Sequence, residues 1–162
     1  MLAIARLMKF WLLKSEPDVF SFADLKARPH RREPWGGVRN YQARNYMRDD
    51  MHPGDGALFY HSSCAEPGIA GVMTIASAPY ADPTQFEKGG EYFDPKATRE
   101  KPIWQAVDVA WARDLPKFVT LETLRSDPEL AEMIVLRRGN RLSITPVTAA
   151  EFKRVCRLGG VK

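Results

Sequence analysis

The residues best suited to ligand binding or chemistry lie close together at positions 35–46, which read WGGVRNYQARNY. Trp35 offers a flat ring for stacking, and the two glycines after it allow a tight turn or a close approach of the backbone to a ligand. Asn40 is a suitable N-cap for a helix that begins at Tyr41, and the other N–H groups of that first turn can bind an anion. The stretch is therefore typical of a site for a planar, polar ligand.

The predicted helix also places an aromatic ring and two cations on one face. Tyr41, Arg44 and Arg48 stand at i, i+3 and i+7, a spacing that aligns side chains along a helix. Two arginines four residues apart repel each other by about 0.2–0.5 kcal/mol. Either an anion binds between them, or the stretch is an ordinary solvated basic helix. This segment alone leaves both readings open.

The composition indicates one globular domain with a basic surface. The chain has 162 residues, of which 44% are hydrophobic and 27% charged, and its formal net charge is +4. That balance agrees with a polyanionic partner. No window approaches the roughly 18 uninterrupted apolar residues of a membrane span, and Met1–Leu7 lacks the features of a signal peptide. We expect a soluble protein with reduced thiols in the cytoplasm, or in the nucleus of a eukaryote.

Hydrophobic patterning predicts short strands separated by short helices. Strands are predicted at 10–13, 57–61, 69–77, 104–111 and 142–146, and helices at 21–26, 41–48, 120–125, 128–133 and 148–155. Residues 28–34 are predicted to form a loop. Residues 79–102 are predicted to form a long but ordered connection, because aromatic residues occur within it. Such an alternation favours an α+β domain built on a small, partly closed β-barrel with short helices around it.

Several motifs together resemble the EVE domain family. They are FWLLKSEP at 10–17, GVRNYQARN at 37–45 and LFYHS at 58–62, followed by Gly71-Val72, Trp104 and LSITPV at 142–147. The resemblance places a single domain at residues 8–158. It makes residues 1–7 an expected N-terminal extension, with Met8 as the natural start. The resemblance also implies a PUA-like fold related to the YTH readers of methylated adenine. It further implies binding of modified nucleobases, chiefly modified cytosines in DNA, rather than catalysis.

A reader of this kind has to hold a base that has left the stack, and the sequence offers groups for the task. Unstacking costs a few kcal/mol, and stacking in a pocket returns about 1–3 kcal/mol per base. The predicted base pocket comprises Ser15, Glu16, Trp35, Asn40, Tyr41, His61, Ser62 and Trp104. Trp35 is the aromatic residue least expected in the core, since no apolar periodicity surrounds it. Glu16 can accept a hydrogen bond from the exocyclic amine of cytosine. The predicted phosphate contacts are Lys14, Arg39, Arg44 and Arg48, with Arg28, Arg31, Arg32, Arg137, Arg138 and Arg141 as extensions of that surface.

Other functions remain open alternatives at this stage. A small hydrolase of nucleotides or modified bases could use Lys14 and Glu16 as an acid/base pair, since i and i+2 share one side of a strand. A reader of modified RNA is equally compatible with the residues. A metal site is disfavoured because His52, His61 and Cys64 lack zinc-ligand spacing. We expect no catalytic residue, metal or cofactor. The expected protein is a monomer that binds nucleic acid and acts alone or with a separately encoded effector.

Overall fold

The computed structural model describes residues 6–162 and shows one curved, unclosed sheet of seven strands. The spatial order is β2-β6-β4-β3-β1-β7, and β5 pairs with β6 away from this path. The strands are β1 (Phe10–Ser15), β2 (Arg32–Trp35), β3 (Gly56–His61), β4 (Gly68–Ile75), β5 (Tyr80–Ala81), β6 (Gln105–Thr120) and β7 (Ile144–Val147). This architecture confirms the predicted α+β class and the partly closed, barrel-like sheet.

In the described part of the chain, four short α-helices surround the sheet. They are α1 (Phe22–Ala27), α2 (Tyr41–Asn45), α3 (Leu121–Ser126) and α4 (Ala149–Leu158). One π-helical turn follows α2 at Tyr46–Asp50, and 3₁₀ turns occur at Pro29–Arg31, Pro83–Phe86, Pro128–Leu130 and Ile134–Leu136. Complete capping boxes begin α1 at Ser21 and α4 at Thr148. Both starts confirm the sequence prediction, because a capping box depends only on residues three positions apart.

The strand β1 lies between β3 and β7 and is buried on both faces. It runs parallel to β3 and antiparallel to β7. Trp11 and Leu13 pack into the hydrophobic cluster on one side of the sheet, and Leu12 packs into the cluster on the other. A strand with both faces covered reads as a continuous apolar run rather than an alternating one. The apolar run at positions 10–13 therefore allowed β1 to be predicted from the sequence.

Strands β2 and β6 differ most from the sequence prediction. Residues 32–35, predicted as part of a loop, form the edge strand β2, which pairs with β6. An edge position tolerates Pro34, so local composition concealed the strand. The strand β6 extends to Thr120, well past the predicted end at residue 111. Exposed residues at 112–114 and Pro116 interrupt the apolar alternation, and pairing with β4 through two register shifts continues the strand regardless.

Phe22 at the start of α1 contacts the sheet through close packing and through a backbone hydrogen bond. The ring of Phe22 lies over Gly71, where an added Cβ would stand 2.1 Å from the ring. The backbone N–H of Phe22 donates to Nε2 of His61 over 3.1 Å. Both contacts fix the turn that connects β1 to α1.

The buried carboxylate of Asp55 joins the start of β1 to the turn before β3. It accepts hydrogen bonds from Nε1 of Trp11 at 3.0 Å and from Nη1 of Arg6 at 2.8 Å. The backbone N–H groups of Lys9 and His52 also donate to it. Burial by itself would raise the pKa of Asp55, but these donors outweigh it and hold the pKa below its ordinary value.

Arg6 is the first described residue of the expected N-terminal extension, and residues 1–5 lie outside the described part of the chain. The domain limits at 8–158 and the start at Met8 therefore stay predictions.

Asp55 should make stability depend on pH in the acid range. A carboxyl group whose pKa is depressed by folding stabilises the protein above its unfolded pKa of about 3.9, and this contribution is lost as pH falls through the folded value. We expect Asp55→Asn to lower the free energy of unfolding at pH 7 by about 1.5–3 kcal/mol, the range for hydrogen bonds to a charged group. The variant should also lose less stability than the wild type between pH 5 and pH 2, measured by urea unfolding.

Asp49→Asn is the matched control for this experiment. Asp49 is exposed and pairs with its neighbour Arg48, and solvent screening makes such surface pairs contribute little to stability. Equal effects of the two substitutions would contradict the role given to Asp55.

Candidate functional site

A surface cavity of about 500 Å³ opens between the end of β1 and the turn after β2. Its walls come from residues within 14–20, from residues 33–39, from Glu91 and Tyr92 in the long connection, and from Ser143 before β7. The volume lies within the range of about 300–1,000 Å³ that is usual for sites of small ligands. Both carboxylate and aromatic side chains line it.

Trp35 ends β2 and forms part of the cavity wall. The side chain is 9% exposed, and its ring packs edge-on against Phe59 with centroids 5.4 Å apart. Trp35 therefore belongs to the core as well as to the cavity, which corrects the expectation that it lies apart from the core. The pairing of β2 with β6, which the sequence did not reveal, buries it. A wall supported in this way presents its free surface in a fixed orientation.

The two glycines after Trp35 lie in close contact with Asp82 and Tyr92. An added Cβ at Gly36 would lie 3.1 Å from a carboxylate oxygen of Asp82. Gly37 has φ of +74°, and a Cβ there would lie 2.9 Å from the ring of Tyr92. The left-handed region is unfavourable for other residues. Tyr92 can therefore lie this close to the turn only because position 37 is glycine, and a side chain at position 36 would require the carboxylate of Asp82 to shift by a few tenths of an ångström.

Asp82 holds this turn in place from the long connection. Its buried carboxylate, 1% exposed, accepts from the N–H of Gly37 at 2.8 Å and from Nη1 of Arg39 at 3.0 Å. The N–H and hydroxyl of Thr84 bind its other oxygen, at 2.9 and 2.6 Å. Burial alone would raise the pKa of Asp82, but these hydrogen bonds prevail and lower it. The position of Asp82 directly before Pro83 is a recognisable N-cap signal in the sequence. Its contact with a turn 45 residues away cannot be predicted from the neighbouring residues.

Arg39 lines the cavity but is committed to contacts within the protein. Its three guanidinium nitrogens donate to Asp82, to Thr84, and to the carbonyls of Val38 and Tyr92. The guanidinium also lies 5.4 Å from the ring centroid of Tyr92 and 5.3 Å from that of Trp104. Arg39 thus cross-links the turn to the long connection, rather than presenting a free cation to phosphate.

Ser15 and Glu16, both predicted pocket residues, lie at the cavity, and only Ser15 has its side chain engaged in a hydrogen bond. The hydroxyl of Ser15 donates to the carbonyl of Phe20 over 2.6 Å and fixes the turn after β1. Glu16 is exposed, and no hydrogen bond or ion pair of its carboxylate is found within residues 6–162. Its carboxylate can therefore accept a hydrogen bond from a ligand.

Lys14 borders the cavity, but its ammonium group lies elsewhere. Nζ lies 5.8 Å from the ring centroid of Tyr60, which packs in the core cluster on the other side of the sheet. Burial lowers the pKa of Lys14. Within the described chain, Lys14 and Glu16 form no ion pair. The acid/base pair of the hydrolase alternative therefore has no supporting contact.

Three other predicted pocket residues have structural roles away from the cavity. Asn40 caps α2, with its side-chain oxygen accepting from the N–H of Ala43 at 3.0 Å. His61 receives the N–H of Phe22 and borders a separate hollow near Pro17 and Cys64, and burial lowers its pKa. The backbone N–H of Ser62 donates to the carbonyl of Ser15. The cavity therefore does not gather Trp35, Asn40 and His61 together.

Tyr41 and Trp104 form a stacked pair beside the cavity. Their ring centroids are 4.9 Å apart; Tyr41 is 57% exposed, whereas Trp104 is buried. The indole N–H of Trp104 donates to Asp94 over 2.8 Å. Because Trp104 also contacts the guanidinium of Arg39, the pair contributes to the site indirectly.

Arg44 and Arg48, the two arginines of the predicted basic helix face, also bind acceptors within the protein. Arg44 donates to the carbonyl of Ile103 and to the side chain of Asn45, and Arg48 pairs with Asp49. The guanidinium of Arg44 lies 4.9 Å from the ring centroid of Tyr41, which agrees with the predicted i, i+3 alignment. The α-helix ends at Asn45, and Arg48 falls in the π-helical turn that follows, so the predicted alignment does not extend to residue 48.

Sequence reasoning missed the cavity residues Phe20, Val38 and Tyr92. Tyr92 carried the best available signal, an aromatic ring within a polar connection rich in proline and glycine. No signal in the sequence related that ring to Gly37. Contact between them depends on the path of residues 82–94 over the turn.

Comparison with known proteins identifies the family of this chain. The model of the EVE domain matches residues 9–158. The chain belongs to the EVE domain family. It is 42% identical to thymocyte nuclear protein 1 of Homo sapiens over 172 residues, which span 96% of this chain and 76% of that protein. It is 37% identical to the uncharacterized protein C21.03c of Schizosaccharomyces pombe, over 90% of this chain and 66% of that protein.

Solved structures agree with this placement of the EVE domain. A hypothetical protein from Leishmania major superposes with a TM-score of 0.88 at 45% identity and covers 94% of this chain and 95% of its own. Human THYN1 protein in complex with DNA containing 5-methylcytosine gives a TM-score of 0.88 at 43% identity, with coverage of 95% and 99%. The YTH domain of the Zygosaccharomyces rouxii MRB1 protein gives 0.55 at 13% identity, with coverage of 100% and 94%, and shows the PUA-like fold alone.

Neither a metal-binding cluster nor a membrane-spanning helix is found in the described residues. Residues 6–162 contain no group of three or more His, Cys, Asp or Glu side chains placed to bind a metal. In the same part of the chain, no helix has the length and apolar character needed to cross a membrane.

The contact between Gly37 and Tyr92 can be tested with a matched pair of glycines. Gly89 has φ of +82° and open space around it, whereas Gly37 has φ of +74° and the Tyr92 ring against it. Alanine at either position meets the same backbone strain, about 1–2 kcal/mol. We expect Gly37→Ala to lower the free energy of unfolding by about 1–3 kcal/mol more than Gly89→Ala, the usual cost of overpacking. Urea unfolding would measure both.

Tyr92→Ala provides the second comparison. In that background the additional loss from Gly37→Ala should disappear, because the ring is gone. An additional loss that persists without Tyr92 would show that the turn is constrained by something else.

Proposed function

We propose that this EVE domain binds DNA and holds a modified cytosine, flipped out of the duplex, in the cavity beside Trp35. The observation that carries the proposal is the cavity itself, which combines a rigid aromatic wall with a free carboxylate at its edge. The 43% identity to a protein solved with DNA containing 5-methylcytosine supports the same choice of ligand. A single chain supplies every wall, so a monomer suffices for binding.

Stacking is the first contribution that the cavity offers. Trp35, Phe20 and Tyr92 surround the opening, and each ring that stacks on a base contributes about 1–3 kcal/mol. Unstacking a paired base costs a few kcal/mol. One or two aromatic contacts therefore offset the cost of flipping, and further contacts are needed to distinguish one base from another.

Glu16 is the group best suited to recognise cytosine. A carboxylate accepts a hydrogen bond from the exocyclic amine of cytosine, whereas thymine has a carbonyl oxygen at the same ring position and would be repelled. The apolar side chains of Val19 and Val38 also line the cavity. They can contact a methyl group at C5 of the base, as apolar side chains contact the methyl group of thymine.

The structure gives no support to catalysis in this cavity. The ammonium group of Lys14 lies over Tyr60, and His61 uses Nε2 to accept a backbone N–H. A hydrolytic site needs a nucleophile, a base and an oxyanion site within reach of one another. No such set lines the cavity in residues 6–162. Binding without turnover is therefore the proposed activity.

A fluorescence-quenching titration tests the proposal directly. Matched duplexes would carry one cytosine, one 5-methylcytosine or one 5-hydroxymethylcytosine at the same position, each at two salt concentrations. We expect tighter binding to a modified duplex, with a preference that persists at the higher salt, because base contacts depend on salt less than phosphate contacts do. Equal binding to all three duplexes, falling steeply with salt, would overturn the proposal of a base pocket.

Glu16→Ala should weaken the preference for the modified duplex over a matched duplex with thymine at the same position. Loss of one hydrogen bond to a charged group corresponds to about 1.5–3 kcal/mol, or roughly 10- to 150-fold in affinity. Glu16 is exposed, so folding should be unaffected. Glu66→Ala is the control, because Glu66 is an exposed carboxylate that borders other hollows. Parallel losses in both variants would indicate a general charge effect rather than a contact to the base.

A further inference from the structure

The proposed function leaves open which groups contact the DNA backbone. The three arginines predicted as direct phosphate contacts are occupied: Arg39 binds Asp82, Arg44 binds the carbonyl of Ile103, and Arg48 pairs with Asp49. A guanidinium that already donates to protein acceptors would have to break those contacts to bind phosphate. The backbone contacts are therefore better sought among cations that the fold leaves available.

A cluster that we name the basic corner meets this requirement. It consists of residues 28–31, which join α1 to β2, together with Trp111 of β6. The guanidinium of Arg31 lies 4.5 Å from the ring centroid of Trp111, and the ammonium of Lys26 lies 5.2 Å from the same ring. His30 and Arg31 are exposed.

Arg31 differs from its basic neighbours in having no carboxylate partner within 4.0 Å in the described chain. Arg28 pairs with Glu33, and Arg32 pairs with Asp108. Asp114, the acidic residue beside Trp111, already accepts from Lys26 and from the indole N–H of Trp111. The charge of Arg31 is therefore not compensated by a direct ion pair.

Stacking orients Arg31 for an anion. A guanidinium is planar and carries its N–H donors in that plane, so packing on an indole ring leaves the donors at its edge available. The backbone of residues 30 and 31 adopts an unfavourable conformation to place Arg31 there. Both His30 and Arg31 have positive φ, at 56° and 53°, a conformation that is uncommon for residues other than glycine.

The basic corner is continuous with the cavity. The guanidinium of Arg28 lies 5.3 Å from the ring centroid of Phe20, and Phe20 lines the cavity wall. The carboxylate of Glu33, which pairs with Arg28, borders the cavity as well. A strand whose base entered the cavity would thus have an arginine-rich surface beside it.

We propose that the basic corner is the phosphate-binding surface for the DNA segment that flanks the flipped base, with Arg31 as its principal contact. This inference rests on the proposed function, because it places the backbone of the same ligand. The partner is DNA, and its phosphate groups are the anions recognised. Phosphate contacts fix the position of the duplex and carry no sequence information. The basic corner should therefore contribute affinity, and the cavity should contribute the choice of base.

The test compares salt dependence in wild type, Arg31→Asn and Arg157→Asn. Asparagine removes the charge and tolerates the left-handed backbone at position 31. Arg157 is an exposed arginine on α4, so its replacement makes the same change in net charge elsewhere. Binding to the unmodified and the 5-methylcytosine duplex would be measured at several salt concentrations, and thermal unfolding would confirm that each variant folds.

We expect Arg31→Asn to weaken binding to both duplexes by the same several-fold factor. The slope of log affinity against log salt should become shallower by about 0.9, the value for one phosphate contact on B-DNA. Arg157→Asn should leave the slope unchanged. Arg31→Lys should preserve most of the slope, because the charge remains.

The outcomes separate the inference from the proposed function. If the wild type prefers the modified duplex but Arg31→Asn leaves affinity and slope unchanged, the basic corner is not the backbone contact while the base pocket stands. If Arg31→Asn and Arg157→Asn reduce the slope equally, general charge accounts for the effect and the inference is overturned. If Arg31→Asn reduces the slope but the wild type shows no preference between duplexes, the backbone contact stands and the base pocket does not.

Discussion

The buried carboxylate of Asp82 holds together the two segments that make the cavity. It binds Gly37 in the turn after β2 and Thr84 in its own segment, and it receives the charge of Arg39. An isolated buried carboxylate is strongly unfavourable, and this one is stabilised because each oxygen is hydrogen-bonded and a cation lies against it. The turn and the connection are consequently fixed relative to each other. Tyr92 is thereby held over Gly37, and the aromatic walls are in position before a ligand arrives, which reduces the ordering cost of binding.

The same logic explains how a long connection rich in proline and glycine remains ordered. Gln85 is fully buried, and its amide binds the carbonyls of Asp82 and Trp104 and the N–H groups of Ile103 and Trp104. Three of these hydrogen bonds tie the connection to the segment that leads into β6, and the bond to Asp82 closes a local turn within the connection. Few apolar residues are needed there, since buried polar groups that are fully hydrogen-bonded can define one conformation. Order in residues 79–102 was predictable from their aromatic content, but the polar residues that impose it were not.

The boundary between what could and could not be predicted follows the range of the interactions. The capping boxes at Ser21 and Thr148 and the apolar strand β1 depend on nearby residues, and the sequence predicted all three. The strand β2 and the second half of β6 exist because other strands pair with them, so their own composition was misleading. The site divides in the same way. Glu16 and Trp35 were predicted to line the pocket and lie at the cavity, whereas Arg39 is occupied by partners more than 40 residues away.

The distribution of charge around the cavity agrees with separate roles for two surfaces, one that supplies affinity for the DNA backbone and one that selects the base. Glu16, Glu33 and Glu91 all border the cavity, and Glu33 pairs with Arg28. A phosphate entering the cavity would meet these carboxylates and the guanidinium of Arg39, which acceptors within the protein already occupy. A neutral base with an exposed amine meets no such repulsion and gains an acceptor. Cations available for phosphate lie outside, where Arg31 packs on Trp111. An excess of negative charge inside the cavity and positive charge beside it would therefore direct the backbone to the surface and the base to the pocket. That arrangement orients the ligand before any hydrogen bond to the base is made.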